Sequence, residues 1–152
     1  MKIKFEYPED EKYFKDLLCS EGDNLEKYES LFDFSPPKDK RFKFNVIRSK
    51  VLDKLINKYG KICMINYPNK CDLRNGFEVD HLIPLSSNKL NKEIRRLLVV
   101  KGKKVSTQSF GSNHENNLIL SCNTCNSHKK HRFLEKEHLQ RILKIKFKPT
   151  AQ

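Results

Sequence analysis

Apolar positions recur at three- and four-residue steps through residues 42–59: Phe44, Ile47, Val51, Leu55 and Tyr59, with Leu52 and Ile56 widening the stripe. That period predicts one amphipathic helix, and Gly60 suits its C-terminal stop. Arg48, Lys50, Lys54 and Lys58 fill other positions, so the helix buries one side and offers cations on another. Such charges more often form a solvated face than a ligand contact. Upstream, residues 9–33 carry two shorter stripes, Tyr13, Phe14, Leu17 and Leu18, then Leu25, Tyr28, Leu31 and Phe32. They predict one or two acidic helices, for which plain packing is the commoner role. Ser35-Pro36-Pro37 interrupts the pattern, and Lys38 to Lys43 has the composition of a basic linker.

The period shortens in the middle of the chain. Phe77-Glu78-Val79-Asp80-His81-Leu82-Ile83-Pro84 has the aromatic and β-branched content of a strand and is closed by a proline. Asn117 to Asn126 begins as a short apolar run and passes into polar residues suited to a helix N-terminus. Before the first strand, Cys63 to Gly76 predicts a knuckle. A short apolar strand leads to a turn at Tyr67-Pro68-Asn69, then to Cys71 and a second turn at Asn75-Gly76. Residues 85–113 form a basic excursion, with a helix suggested by Leu90, Ile94, Leu97 and Leu98 and loops at 101–104 and 109–113. After Cys125 a last helix is expected through about Arg141 or beyond, with Phe133, Leu134, Ile142 and Leu143 able to pack, and residues 144–152 form a basic tail.

Charge adds a partner to this outline. The 152 residues have a formal net charge of +12, but residues 1–35 hold five Lys against ten Asp and Glu, so residues 36–152 carry +17. A body this basic favours nucleic acid, through phosphate contacts and counterion release; a lysine-rich soluble surface is the plainer alternative. With 37% hydrophobic residues and a mean hydropathy of −0.73, the composition is foldable, and no apolar run is long enough to span a membrane. The start MKIKFEYPEDEK lacks the apolar core of a secretory signal, so a cytoplasmic location is expected. Five cysteines, an odd number, argue against a disulfide framework. Cys122-x-x-Cys125 has metal-ligand spacing, Cys63 and Cys71 are available as a second pair, and Cys19 suits an ordinary buried thiol.

The chemistry concentrates in the two central segments. Asp80, His81, Asn117 and Asn126 together suffice to bind a divalent metal, supply a base and hold that base in place. A neutral imidazole takes a proton from water near pH 7, and a carboxylate with an amide oxygen suits Mg²⁺ or Mn²⁺. Because neighbours in a strand point to opposite faces, the Asp80 carboxylate needs a local bend to reach the same site as His81.

Asp80-His81-x-x-Pro84 followed by Asn117-Leu-x-x-x-Cys122-x-x-Cys125-Asn126-x-x-Lys129 resembles the HNH family of the ββα-metal nucleases. The similarity spans about residues 63–132, and the preceding helix fits it. The resemblance implies an α+β fold: a small ββα-metal core with a zinc knuckle, flanked by N- and C-terminal helices. Residues 1–40 would be an acidic helical arm and linker, 41–143 the nuclease domain with its insertion at 85–113, and 144–152 the tail. His81 would be the general base, Asp80 and Asn126 the ligands of a catalytic Mg²⁺ or Mn²⁺, and Asn117 the group that braces the fold and orients His81. Cys122 and Cys125 match half of a structural Zn²⁺ site that Cys63 and Cys71 would complete, although seven residues separate that first pair. Lys129 and Arg132 are candidates for phosphate contacts. His114, His128 and His131 suit surface roles better than ligation, and Lys130 holds the position where some relatives place another ligand.

The implied activity is metal-dependent hydrolysis of DNA phosphodiester bonds. Restriction or anti-phage defence is the first setting suggested by analogy, with a homing or phage-packaging nuclease next. Specificity would come from residues 85–113, a homodimer or a partner protein. The rival class is a zinc-stabilised nucleic-acid-binding module without catalysis.

Overall fold

The computed structural model describes residues 3–20, 22–85, 109–129 and 134–147. The chain opens with helix α1 (Pro8–Leu18), a 3₁₀ turn (Leu25–Leu31) and the long helix α2 (Pro37–Tyr59). A short 3₁₀ turn (Leu73–Asn75) leads into β1 (Phe77–His81). Another (Glu115–Asn117) leads into β2 (Leu118–Cys122), α3 (Asn123–Lys129) and α4 (Lys136–Lys146). The fold is therefore mixed α+β. Its sheet has two antiparallel strands, with Phe77 opposite Cys122 and His81 opposite Leu118.

Helix α2 begins five residues earlier than the apolar stripe suggests. Pro37 occupies its first turn, where a missing N–H costs nothing. The cations from Lys38 to Lys43 are thus helical, which corrects the reading of that stretch as a linker. The extension matters because it buries Lys40 and carries Arg41 into the sheet region. Gly60 closes the helix at φ 81°, a left-handed conformation that glycine adopts without strain.

One hydrophobic core joins the helices to the sheet. It includes Phe14, Leu18, Leu31, Phe44 and Leu55 from the N-terminal half, Val79, Leu118, Ile119 and Leu120 from the strands, and Leu139, Ile142 and Leu143 from α4. Phe14, Phe32 and Phe110 pack with ring centroids 5.0 Å apart for Phe14 to each of the other two, and Phe5 lies against all three. The acidic N-terminal segment therefore packs into the same core as the strands. Gln140 on α4 donates to the last carbonyls of α1, at Leu17 (3.0 Å) and Leu18 (2.9 Å), satisfying acceptors that a helix end leaves open.

The expected continuous helix after Cys125 is two helices. Leu134 and Glu135 are not helical, and Glu135 is extended at ψ 153° ahead of α4. Leu134, Ile142 and Leu143 are buried as expected. Lys144 to Lys146, assigned to the tail, instead complete α4. The bulk of the 85–113 excursion, and Lys130, His131, Arg132, Phe133 and residues 148–152, lie outside the described residues. Among the described residues no helix is long and apolar enough to cross a membrane.

Candidate active site and metal centre

Cys63, Cys71, Cys122 and Cys125 converge. Their sulfurs all lie within 4.8 Å of one another, and Cys71 Sγ is 3.8 Å from Cys122 Sγ. Four sulfurs each ~2.3 Å from one tetrahedral ion would be ~3.8 Å apart. The group can hold a metal ion such as zinc. Its assembly across the wide Cys63–Cys71 spacing rests on two asparagines with positive φ, Asn66 at 49° and Asn69 at 62°. Asparagine tolerates the left-handed region, and here it folds the intervening residues into tight turns. The short strand expected at Cys63 is reduced to one bond, from Met64 N–H to Leu120 O on β2. Asn66 N–H donates to Cys63 Sγ (3.2 Å) and Cys125 N–H to Cys122 Sγ (3.3 Å), bonds that favour thiolates. Burial raises the Cys71 thiol to about 11; at Cys122 burial also acts upward, but the N–H groups of Cys125 and Asp72 draw it down to about 7.

A second site lies at the other end of the sheet, where His81 pairs with Leu118 rather than Phe77 with Cys122. There a cleft of about 400 Å³ is lined by Asp80 and His81 of β1, Asn126 and Lys129 of α3, Arg41, Phe44 and Arg48 of α2, and Val79, Pro84 and Leu85. The structure thus brings Asp80, His81 and Asn126 to one cavity although Asp80 and His81 are strand neighbours. The carboxylate supplies the bend: Asp80 Oδ1 turns forward along the chain and accepts from His81 N–H at 2.8 Å.

His81 is 8% exposed and held on two sides. The Phe44 ring packs edge-on at 4.5 Å. Its Nε2 lies 2.8 Å from Asn113 Oδ1, while Asn113 Nδ2 donates to Lys40 O at 2.8 Å. The bond to Lys40 sets the amide's orientation and leaves only its oxygen for the imidazole. Nε2 must therefore carry the proton, and Nδ1 keeps the lone pair. Burial lowers the His81 pKa below its ordinary value, outweighing the opposing pull of Asn113 and Asp80.

Asn117 is fully buried and braces the residues that follow His81 rather than touching the imidazole. Its Oδ1 accepts from Ile83 N–H (2.8 Å), its Nδ2 donates to Ile83 O (3.0 Å) and Ser112 O (2.8 Å), and its backbone O accepts from Leu82 N–H (2.8 Å). Gly111 permits this closure: a Cβ there would lie 2.0 Å from Ile83 O.

Lys129 departs from its expected role as a phosphate contact. It is 1% exposed, with Nζ 2.8 Å from Asp80 Oδ2 and donating to His81 O at 3.2 Å. A buried ammonium needs such partners, so it is spent inside the protein. Asp80 Oδ2 nevertheless receives no hydrogen bond of acceptable geometry. This is a charge pair that leaves a carboxylate lone pair undirected. Asn126 donates its Nδ2 to Glu78 Oε2, which leaves its own oxygen available. The Asp80 carboxylate and the Asn126 amide oxygen line one cleft and are hard donors of the kind a divalent cation takes, with the Lys129 ammonium already against Asp80 Oδ2.

Four residues of this site escaped the sequence reading: Lys40, Arg41, Glu78 and Asn113. Glu78 was the most accessible, since it shares a strand face with Asp80 two residues on. Arg41 lies seven residues before Arg48, on one helical stripe with Phe44, and was hidden by the linker assignment. Nothing local marks Asn113, whose partner is 32 residues away. Among the described residues, His114 and His128 do not line the cleft. Exposed His128 packs against Tyr67, and His114 accepts from Asn116 N–H. No protein-family model, curated protein or solved structure matches the chain.

Proposed function

We propose that the chain is a metal-dependent endonuclease of HNH type that hydrolyses DNA phosphodiester bonds. The observation that carries this reading is the shared cleft of His81, Asp80 and Asn126, with the imidazole oriented by Asn113. The order strand, strand, helix around that cleft also supports it. Zinc is the ion we assign to the cysteine centre, where it would fix the knuckle beneath β2.

In this mechanism His81 Nδ1 takes a proton from water, and the resulting hydroxide attacks phosphorus as the bond to the leaving sugar oxygen breaks. Asn113 holds the imidazole in the tautomer that leaves Nδ1 free. Lys129 pins Asp80 against α3, and Asn117 fixes the chain beyond His81. Asp80 and Asn126 would hold a divalent ion, which would supply charge neutralisation for the developing negative charge.

One observation favours a second reading, a zinc-stabilised nucleic-acid-binding module without catalysis: the Lys129 ammonium already sits against Asp80. A plasmid-nicking assay with Mg²⁺ or Mn²⁺ separates the two. The parent is expected to nick supercoiled DNA and His81→Ala to bind without cutting. Binding by the parent with no cleavage in either metal would leave only the second reading. Restriction or anti-phage defence is the setting we propose ahead of homing or packaging, and sequencing the cut ends from a random library tests it.

A further inference from the structure

The cleft contains more positive charge than its buried pairs consume. Lys129 and Asp80 offset one another. Arg41 and Arg48 remain, both exposed on α2, and neither makes an ion pair or hydrogen bond with any described residue. They lie seven residues apart, two helical turns, so their Cα atoms are about 10.5 Å from each other on one stripe. Phe44, between them on that stripe, packs directly on the His81 ring. His81 therefore packs against the middle of the stripe that carries both arginines, and all four residues line one cleft.

We propose that Arg41 and Arg48 form a two-point phosphate clamp that seats a polynucleotide strand across His81. A guanidinium offers paired N–H donors that match two phosphate oxygens, and it stays charged at any working pH. A span of about 10.5 Å between Cα atoms, adjusted by two long flexible side chains, is on the scale of the two steps that separate the phosphates flanking the one His81 faces. The Phe44 ring sets the height of the clamp above the imidazole. These are substrate-positioning residues, and their assignment deepens the nuclease reading on which it rests.

The clamp is tested by fluorescence anisotropy with a labelled random-sequence 20-base-pair duplex, without added divalent ion, between 50 and 200 mM salt. Arg41→Gln and Arg48→Gln should each reduce the slope of log K against log salt by about 1, the double variant by about 2, because each phosphate contact releases roughly one counterion. His81→Ala should keep the parent slope. Both arginines are exposed, so circular dichroism should show folded variants. A double variant with the parent's slope overturns the clamp, as does a parent that binds no duplex. Nicking assays on the same proteins separate this from the nuclease reading. If the parent cuts and the double variant keeps both slope and turnover, the clamp fails alone. If the parent never cuts but the double variant loses slope, the clamp stands and the nuclease reading fails.

Discussion

Asn113 Oδ1 lies 2.8 Å from His81 Nε2, and that contact decides which imidazole nitrogen carries the proton and which keeps its lone pair. The amide is held by the backbone of α2 through Lys40 O, so the tautomer of a residue on β1 depends on a helix start that lies 41 positions earlier in the chain. Asn113→Leu keeps much of the volume and removes the acceptor. Turnover in the nicking assay should fall roughly 10²-fold, the lower end of what general-base catalysis contributes, with duplex affinity unchanged. A variant that cuts at the parent rate would show that Asn113 is ordinary packing.

The cysteine centre should make stability depend on metal. Elemental analysis is expected to find one zinc per chain, and chelation should lower Tm by roughly 10 °C or more, since metal binding to such a site is folding free energy. Cys71→Ser should lose the metal and show the same low Tm without chelator. A chain that purifies metal-free with a Tm indifferent to chelation would falsify the assignment.

Gly111 and Gly22 make opposite demands on a methyl group. At Gly111 the added Cβ meets backbone, 2.0 Å from Ile83 O and 2.7 Å from Pro84 O; at Gly22 (φ +85°) nothing lies within 4 Å. Gly111→Ala should cost about 3 kcal/mol or more, because the obstacle is main chain tied down by Asn117. Gly22→Ala should cost only about 1 kcal/mol, the local penalty of the left-handed conformation. Urea unfolding of the two variants gives the comparison, and equal losses would refute it.

What the sequence made legible was whatever depends on near neighbours. The stripe from Phe44 to Tyr59, the Asp80-His81 strand and the Cys122–Cys125 pair each have their signal within a few positions, and each stands where it was expected. The misreadings share another cause. Pro36-Pro37 ahead of a cationic run looks like a linker until Pro37 is placed at a helix start, where only its neighbour's backbone differs. The stretch from Cys125 to Arg141 keeps helical composition on both sides of a break at Leu134 and Glu135, so periodicity alone could not mark it. The charge of Lys129 suits a phosphate contact, which is how the sequence reads; its burial follows from its pairing with Asp80, a tertiary fact. Asn113 had no local signal at all.

Lys40 carries the last prediction, and its sign follows from burial. It is 2% exposed, yet its Nζ reaches Asp33 O at 2.5 Å and Gly111 O at 2.6 Å. Burial lowers its pKa to about 8, with the Asp33 carboxylate pulling weakly the other way. In the unfolded chain the amine titrates near its ordinary 10.5. Below pH 8 both states are charged, and the folded state bears the full cost of burying the ammonium. Between pH 8 and 10.5 the folded state releases its proton first, the unfolded state binds more protons, and stability contributed by this residue rises with pH. A neutral amine still has two N–H groups for the two carbonyls, so both bonds survive the change. Lys40→Met removes the titration. The unfolding free energy of the parent, minus that of Lys40→Met, should therefore increase by on the order of 3 kcal/mol from pH 8 to 10.5. A difference that stays flat across that window would mean that the ammonium remains charged where it is buried, held by the two carbonyls and Asp33.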